Sequence, residues 1–337
     1  MAVFLKKKTK LSNDTKLILV TGSNGFIGQH LCSRLLTQGY KVRALTRIEG
    51  PVGLNSTQNL EVLVCRDFNL KSLERACENV DVIIHLAGLA HDTNVSTEQL
   101  YRTNVGLTET VLSAAISQKV KRFVFISSSL VAHVSSSEKH KRNYGQSKLA
   151  AEKLVLSANR AGLLEGVILR PVNVYGPGMR GNIATLITLI SKRLALPLPR
   201  LDSKISLVGV FDLCDAITLA SCAKNAVGKT YIVTDGTEYK IHELEEEIYS
   251  AFGRRMPPIR VPRKILFISI LGLSYAVKVL TFFRLCPRFI GGFSITAYNK
   301  LINNNLFESK TIQSELGFKP KYNFYNSLPI ILGSKDG

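Results

Sequence analysis

The sequence predicts an α/β protein built on a doubly wound parallel sheet, followed by a smaller C-terminal lobe. Three observations carry this. A glycine-rich turn near the start separates an apolar block from a helical segment. Four more apolar blocks follow up to Ile126, separated by helical segments, which is the βαβα alternation of a parallel sheet. After Gly178 the texture changes to short strands, loops and helices.

The first block, Lys16 to Val20, reads as a buried parallel strand. Thr21-Gly22-Ser23-Asn24-Gly25-Phe26-Ile27-Gly28 follows at once, and Gln29 to Gln38 has helical periodicity with Leu31, Leu35 and Leu36 on one face. Strand, glycine turn and helix in that order is the context of a dinucleotide site. Gly22 permits the tight turn, Gly25 lets the backbone approach a pyrophosphate, and Gly28 lets helix and strand pack closely. The helix N-terminus offers free N–H groups and partial positive charge to the phosphates. Lys41–Thr46 reads as the second strand and Leu60–Cys65 as the third, with Arg66-Asp67-Phe68 behind it. Val80–Leu86 is the fourth, running into Ala87-Gly88, and Arg122–Ile126 is the fifth, ending in Ser127-Ser128-Ser129. Further on, Asn182–Leu194 is helical, Ala195–Arg200 a loop, Ile205–Val208 a strand, Asp212–Ala223 a helix and Tyr231–Val233 a strand. Glu308–Gly317 is a helix closed by glycine. The expected division is a basic extension over 1–15, a dinucleotide-binding domain over 16–177 and a substrate lobe over 178–337, some of whose segments return to the sheet.

Tyr144-Gly-Gln-Ser-Lys148 places a phenol and an ammonium four residues apart. On a helix both lie on one face, about 5–6 Å apart at Cβ. A cation so close is expected to lower the tyrosine pKa and make it a proton-transfer group near neutral pH.

A chain of 337 residues with 45% hydrophobic and 20% charged residues buries a full core. Six scattered cysteines without Cys-x-x-Cys read as reduced core residues of a cytoplasmic protein, and no Cys/His spacing suits a metal. The net charge is +19, and Ile248 to Phe307 contains no Asp or Glu but nine Lys and Arg. No nucleic-acid-binding module accompanies this charge, so nucleic acid is not an expected partner. A basic surface also suits an anionic diphosphate or an anionic membrane face. The apolar run Ile265–Phe283, interrupted by Lys278, reads first as a buried helix of the small lobe, then as a helix on the inner membrane face, and last as a span.

The spacing Gly22-x-x-Gly25-x-x-Gly28, the serine run and Tyr144-x-x-x-Lys148 together resemble the extended branch of the short-chain dehydrogenase/reductase superfamily. The resemblance covers about residues 16 to 320 and is nearest to NAD(P)-dependent nucleotide-sugar epimerases and reductases with a Rossmann domain. It implies cofactor contacts from Gly22, Gly25, Phe26, Ile27, Gly28 and Arg47, an adenine site at Asp67 and Phe68, and a ribose site at Leu86, Ala87 and Gly88. It implies Ser128, Tyr144 and Lys148 as the catalytic group, the last two also touching cofactor, with Asn104 nearby. By the residue's own pattern Asn104 reads equally as a helix cap. On the substrate side it implies Ser129, Asn173 and Lys204.

Departures from the family pattern shape the expectation. No acid follows the second strand before Glu49, so Arg43 and Arg47 would meet a 2′-phosphate and favour NADP(H) over NAD(H), or are solvated surface arginines. Ile205 stands where related epimerases carry a diphosphate-binding arginine, with Lys204 beside it, and Arg284 or Arg288 would substitute for a missing late arginine element. Dehydratases carry Asp-Glu where this chain has Ser129 and Leu130, which disfavours elimination of water. The expected activity is hydride transfer at C4 of a UDP-linked N-acetyl or deoxy hexose for bacterial-type surface polysaccharide, as 4-ketoreductase or 4-epimerase, with a slight tilt to the reductase. The alternatives are a 3β-hydroxysteroid-dehydrogenase-like oxidoreductase and a non-enzymatic Rossmann sensor or scaffold. The resemblance also implies a homodimer through the helices following Ser96 and Tyr144.

Overall fold

The computed structural model describes residues 16–48, 58–89, 95–136, 138–195, 199–262, 264, 265, 268, 272 and 304–333. The basic extension 1–15, Glu49, Arg284, Arg288 and most of Ile265–Phe283 lie outside these residues. Among the described residues no helix is long and apolar enough to cross a membrane, and no three His, Cys, Asp or Glu gather as metal ligands.

A seven-stranded sheet has the order β3-β2-β1-β4-β5-β6-β9. Its strands are β1 (Leu17–Thr21), β2 (Lys41–Thr46), β3 (Leu60–Val64), β4 (Val82–His85), β5 (Arg122–Ile126), β6 (Glu165–Pro171) and β9 (Thr230–Val233). Pairing from β3 across to β6 is parallel throughout. The strand order reverses between β1 and β4, the point at which open α/β sheets bind ligands beyond their carboxyl ends. The β4 and β5 positions are all buried, as parallel strands covered on both faces must be. A second sheet, β10-β8-β7, comprises β7 (Asn173–Tyr175), β8 (Lys204–Gly209) and β10 (Glu238–Lys240).

The chain forms two compact units, each assembled from separated segments. The first takes Met1–Ser127, Gln146–Leu169 and Ile217–Thr230, the second the remainder. In the first, helix α1 (Phe26–Thr37) buries Gly28, Leu31, Cys32 and Leu35. Cys32 thus takes the inward position expected of Leu36, which is half-buried. Buried Arg122 donates to Glu165 at 2.7 Å and to the carbonyls of Ala220 and Ala223 at 2.8 and 3.0 Å, tying β5 to the segment around residue 220. The second unit closes over Tyr175, Leu207, Tyr239, Ile248 and Phe324. Within it Asp235 accepts hydrogen bonds from Tyr239 at 2.6 Å and Tyr175 at 3.2 Å, and burial raises its carboxyl to about 6. Gly317 ends its helix in the left-handed region at φ 67°, as the sequence predicts.

A methyl group on Gly28 would sit 2.2 Å from the Gly22 carbonyl oxygen and 2.8 Å from Ser23 Cα. Gly28→Ala is expected to force helix α1 off the turn and destabilise by about 1–3 kcal/mol, read as a lowered Tm. Gly106→Ala, where an added methyl meets nothing within 4 Å in a helical backbone, is expected to be neutral or to stabilise by about 0.5–1 kcal/mol in the same melt.

Candidate active site

The glycine turn is held at the carboxyl end of β1. Gly22 has φ 71°, and a Cβ there would lie 2.8 Å from the Ala87 nitrogen, so the turn touches the backbone leaving β4. Gly25 donates its N–H to Gly22 O at 2.9 Å and precedes helix α1 without a side-chain cap or an acid in the first turn. That leaves the helix N-terminus suited to an anion. Phe26 and Ile27 are half-buried in that first turn. Ser23 Oγ donates to Leu45 O at 3.0 Å and pins the turn to the end of β2, a role with no signal in periodicity. Leu86 N donates to Thr21 O at 3.2 Å, and Leu86, Ala87 and Gly88 leave β4 from there. A Cβ on Gly22 or Gly88 would collide with backbone or with Asn104, so both serve a close approach of chain. This cradle fits a dinucleotide.

Beyond β2 and β3 the sequence expectations divide. Asp67 is exposed, and Phe68 is half-buried against the core at φ 45°, a left-handed conformation rare for an aromatic residue. Arg47 is exposed. Arg43 does not await a 2′-phosphate: it donates to Glu61 at 2.8 Å and to the carbonyls of Ala76 and Glu78 at 2.8 Å each. Its five-donor fork satisfies helix-end carbonyls of α2 (Leu70–Cys77), a structural task that local sequence does not reveal.

Asn104 is no helix cap. It lies buried in a π-helical turn, Arg102–Gly106, between helix α3 (Thr97–Tyr101) and helix α4 (Leu107–Ser117). Its Oδ1 accepts from Leu89 N at 2.8 Å, and its Nδ2 donates to Ser147 Oγ at 3.1 Å. Single π turns inside helices recur at functional sites. Lys148 is buried; its Nζ donates to Ile126 O at 3.1 Å and lies 4.8 Å from the Phe125 ring. Burial pulls its ammonium down to about 8, with Glu152 one turn along acting in the opposite sense.

Helix α5 (Lys139–Arg160) carries Tyr144 and Lys148 on successive turns. Ser128, two residues beyond β5, accepts from Leu130 N at 3.2 Å and starts a 3₁₀ turn over Ser129–His133. Gly145 lets this turn approach the helix, since a Cβ there would meet Leu130 O at 2.5 Å. The Ser128 hydroxyl acts on Tyr144 in the sense that favours the phenolate. The phenol does not fall as the Tyr–Lys spacing predicts: burial pushes it up to about 12, and Ser128 is what draws it back. Desolvation of the phenolate outweighs the helix-face argument. Ser129 is buried at the head of the 3₁₀ turn. Asn173 is exposed on β7, in register with Leu207. Lys204 is taken up by Glu238 at 2.7 Å across the β8–β10 pair.

The NAD dependent epimerase/dehydratase family matches residues 18–234. A UDP-glucose 4-epimerase of Vibrio cholerae is 32% identical over 287 residues, 79% of this chain and 85% of that protein. A 3-beta-hydroxysteroid dehydrogenase of Mycolicibacterium neoaurum is 24% identical over 339 residues, 93% of this chain and 89% of that protein. The fold is shared with the Bordetella bronchiseptica enzyme WbmG, solved in complex with NAD, at a TM-score of 0.72 and 20% identity over 96% of this chain and 95% of that one. The chain is an NAD-dependent enzyme of the epimerase/dehydratase family, in the extended short-chain dehydrogenase/reductase superfamily.

Proposed function

We propose that this enzyme catalyses hydride transfer at C4 of a UDP-linked hexose, with Ser128, Tyr144 and Lys148 as the working groups. The observation that carries the reading is the placement of Tyr144 and buried Lys148 on successive turns of one helix, with the Ser128 hydroxyl favouring the phenolate. The name of the Vibrio relative supports 4-epimerase over 4-ketoreductase, and supports a UDP-sugar as substrate. A bound nicotinamide would supply a hydride acceptor and donor. Gly22, Gly25 and the first turn of α1 hold the pyrophosphate, Asp67 and Phe68 the adenosine end, and Ala87 and Gly88 the far ribose. Tyr144 Oη takes the proton from the sugar 4-hydroxyl and returns it, Ser128 Oγ orients that oxygen, and Lys148 Nζ holds the ribose. Raised to about 12, the free phenol is a proton donor for a C4 ketone; in the alcohol-oxidising direction it must first lose its proton to solvent, which the positive charges of Lys148 and of an oxidised nicotinamide would favour. Asn173 is the diphosphate contact, while Lys204 serves the substrate only by leaving Glu238. A product for surface polysaccharide, a cytoplasmic site of action and dimerisation through the helices after Ser96 and Tyr144 complete the reading.

Dehydrogenation of an apolar alcohol is the second reading, favoured by the steroid dehydrogenase whose likeness extends over 93% of this chain. NMR of UDP-hexoses incubated with enzyme decides: interconversion of C4 isomers supports the first reading, and NADH formation from a 3β-hydroxysteroid with no change in any UDP-hexose favours the second.

Tyr144→Phe is expected to lower turnover by about 10²–10⁴-fold while NADH affinity stays within about twofold, measured by steady-state rates and fluorescence titration. Lys148, pulled down to about 8, loses its charge as pH rises through that value. NADH affinity is therefore expected to weaken above about pH 8 in the native enzyme, and to be flat with pH in Lys148→Met. With Arg43 engaged, selection of NADP(H) rests on Arg47: Arg47→Ala weakens NADPH and spares NADH if that arginine reads the 2′-phosphate. Peripheral contact with an anionic bilayer is supported by Ile259, Ile265 and Ile268, which are 79%, 54% and 65% exposed among Arg254, Arg255, Arg260 and Lys264. Sedimentation with phosphatidylglycerol vesicles is the expected outcome, abolished by Ile259→Ser with Arg255→Ser. Salt at about 0.5 M is expected to abolish it too, because the Debye length there is only about 3–5 Å.

A further inference from the structure

His85 is wholly buried at the end of β4. It is a polar residue in an apolar strand and belongs to none of the groups assigned above. Its Nδ1 lies 2.7 Å from Thr21 Oγ1, and its Nε2 lies 3.1 Å from Thr108 Oγ1. The donors on this path can be counted. Thr108 has one hydroxyl proton and gives it to Asn104 O at 2.7 Å, so Thr108 Oγ1 must accept from His85 Nε2–H. Nδ1 is then an acceptor and takes the hydroxyl proton of Thr21. Thr21 Oγ1 in turn accepts from Ala87 N–H at 3.2 Å. The chain therefore runs in one direction, Ala87 N–H to Thr21 to His85 to Thr108 to Asn104 O, with every proton used.

The two ends of this chain are the two halves of the site. Ala87 is the backbone against which Gly22 presses the glycine turn. Asn104 reaches Leu89 N and Ser147, the neighbour of Lys148. The imidazole also stacks on Phe125 at 5.8 Å and 25°, and Lys148 Nζ lies over that same ring. Burial, aided by the Lys148 charge, pulls His85 down to about 3, so the ring is neutral wherever the enzyme works.

We propose that His85 is a positioning residue, a neutral Nε2–H imidazole that braces the cofactor turn through Thr21 and the Asn104–Ser147–Lys148 group through Thr108. A buried donor or acceptor left without its partner is costly, so each arm holds its backbone in place. The Asn104 arm rests on the catalytic reading proposed above; the Thr21 arm needs only that the enzyme binds NAD.

Two substitutions separate the arms. Asn puts its amide near the Nδ1 position and retains the Thr21 arm, whereas Gln reaches the Nε2 position and retains the Thr108 arm. His85→Gln is expected to weaken NADH binding about tenfold in fluorescence titration, with a smaller loss in kcat. His85→Asn is expected to lower kcat about tenfold with a smaller loss in NADH affinity. Equal changes in both constants for both variants, or no change in either, overturn the proposal. Should a variant fail to fold, ¹⁵N NMR of the native protein decides: a single Nε2–H tautomer that does not titrate between pH 5 and pH 8 supports it, and an Nδ1–H tautomer or a titrating ring overturns it. If no UDP-hexose is turned over, NADH affinity and the tautomer still decide the role of His85, apart from the fate of the catalytic reading.

Discussion

The site depends on one close approach, that of the Gly22 turn to the backbone leaving β4. The turn and the strand end meet at Ala87 with no room for a side chain, at the place where the strand order reverses. Parallel pairing of β1 with β4, in register from Ile18↔Val82 to Thr21↔His85, delivers both chain ends to the same level. From there Thr21, Ser23 and Leu86 secure the turn to its neighbours. Because backbone meets backbone, neither side can yield by rotating a side chain, and the N-terminus of helix α1 is held with the same rigidity.

Helix α5 shows which of two electrostatic effects wins. Four-residue spacing argues that a lysine should ease the ionisation of a tyrosine. Burial argues the reverse for both groups, raising the phenol to about 12 and lowering the ammonium to about 8. Desolvation acts on each group separately and at full strength, whereas the pair interaction depends on where the flexible lysine points, and here its Nζ is turned to Ile126 O. Burial therefore keeps the phenol protonated and leaves the ammonium easier to deprotonate than an exposed lysine. Ser128 is the one neighbour that already favours the phenolate, and Gly145 is the reason the 3₁₀ turn carrying Ser129 and Leu130 lies close enough to hold it.

Much of the fold was legible from pattern. The second and fifth strands run over the residues expected, and the glycine turn, helix α1 and the helix ending at Gly317 stand where their signals lie. Strand β6, Glu165–Pro171, offers only the short apolar run Val167–Leu169, which periodicity alone does not separate from a buried helix segment. The site was legible where it depends on short spacing. It was not where it depends on partners far along the chain: Arg43 is spent on Ala76 and Glu78, Asn104 sits in a π turn rather than a cap, and Lys204 finds Glu238.

The sequence by itself determined the order of the first five strands and the helices between them, the glycines of the turn after β1, and the helical phase shared by Tyr144 and Lys148. These follow from backbone sterics and from periods of two and 3.6 residues, which act over a few neighbours. Tertiary structure alone decided which polar groups are buried and with whom. That choice sets the direction of each pKa, engages Arg43, and aligns Thr21, His85, Thr108 and Asn104 into one directed chain. The reason is physical: desolvation and hydrogen-bond satisfaction depend on contacts such as Thr21–His85 and His85–Thr108, 64 and 23 positions apart, which no local window contains.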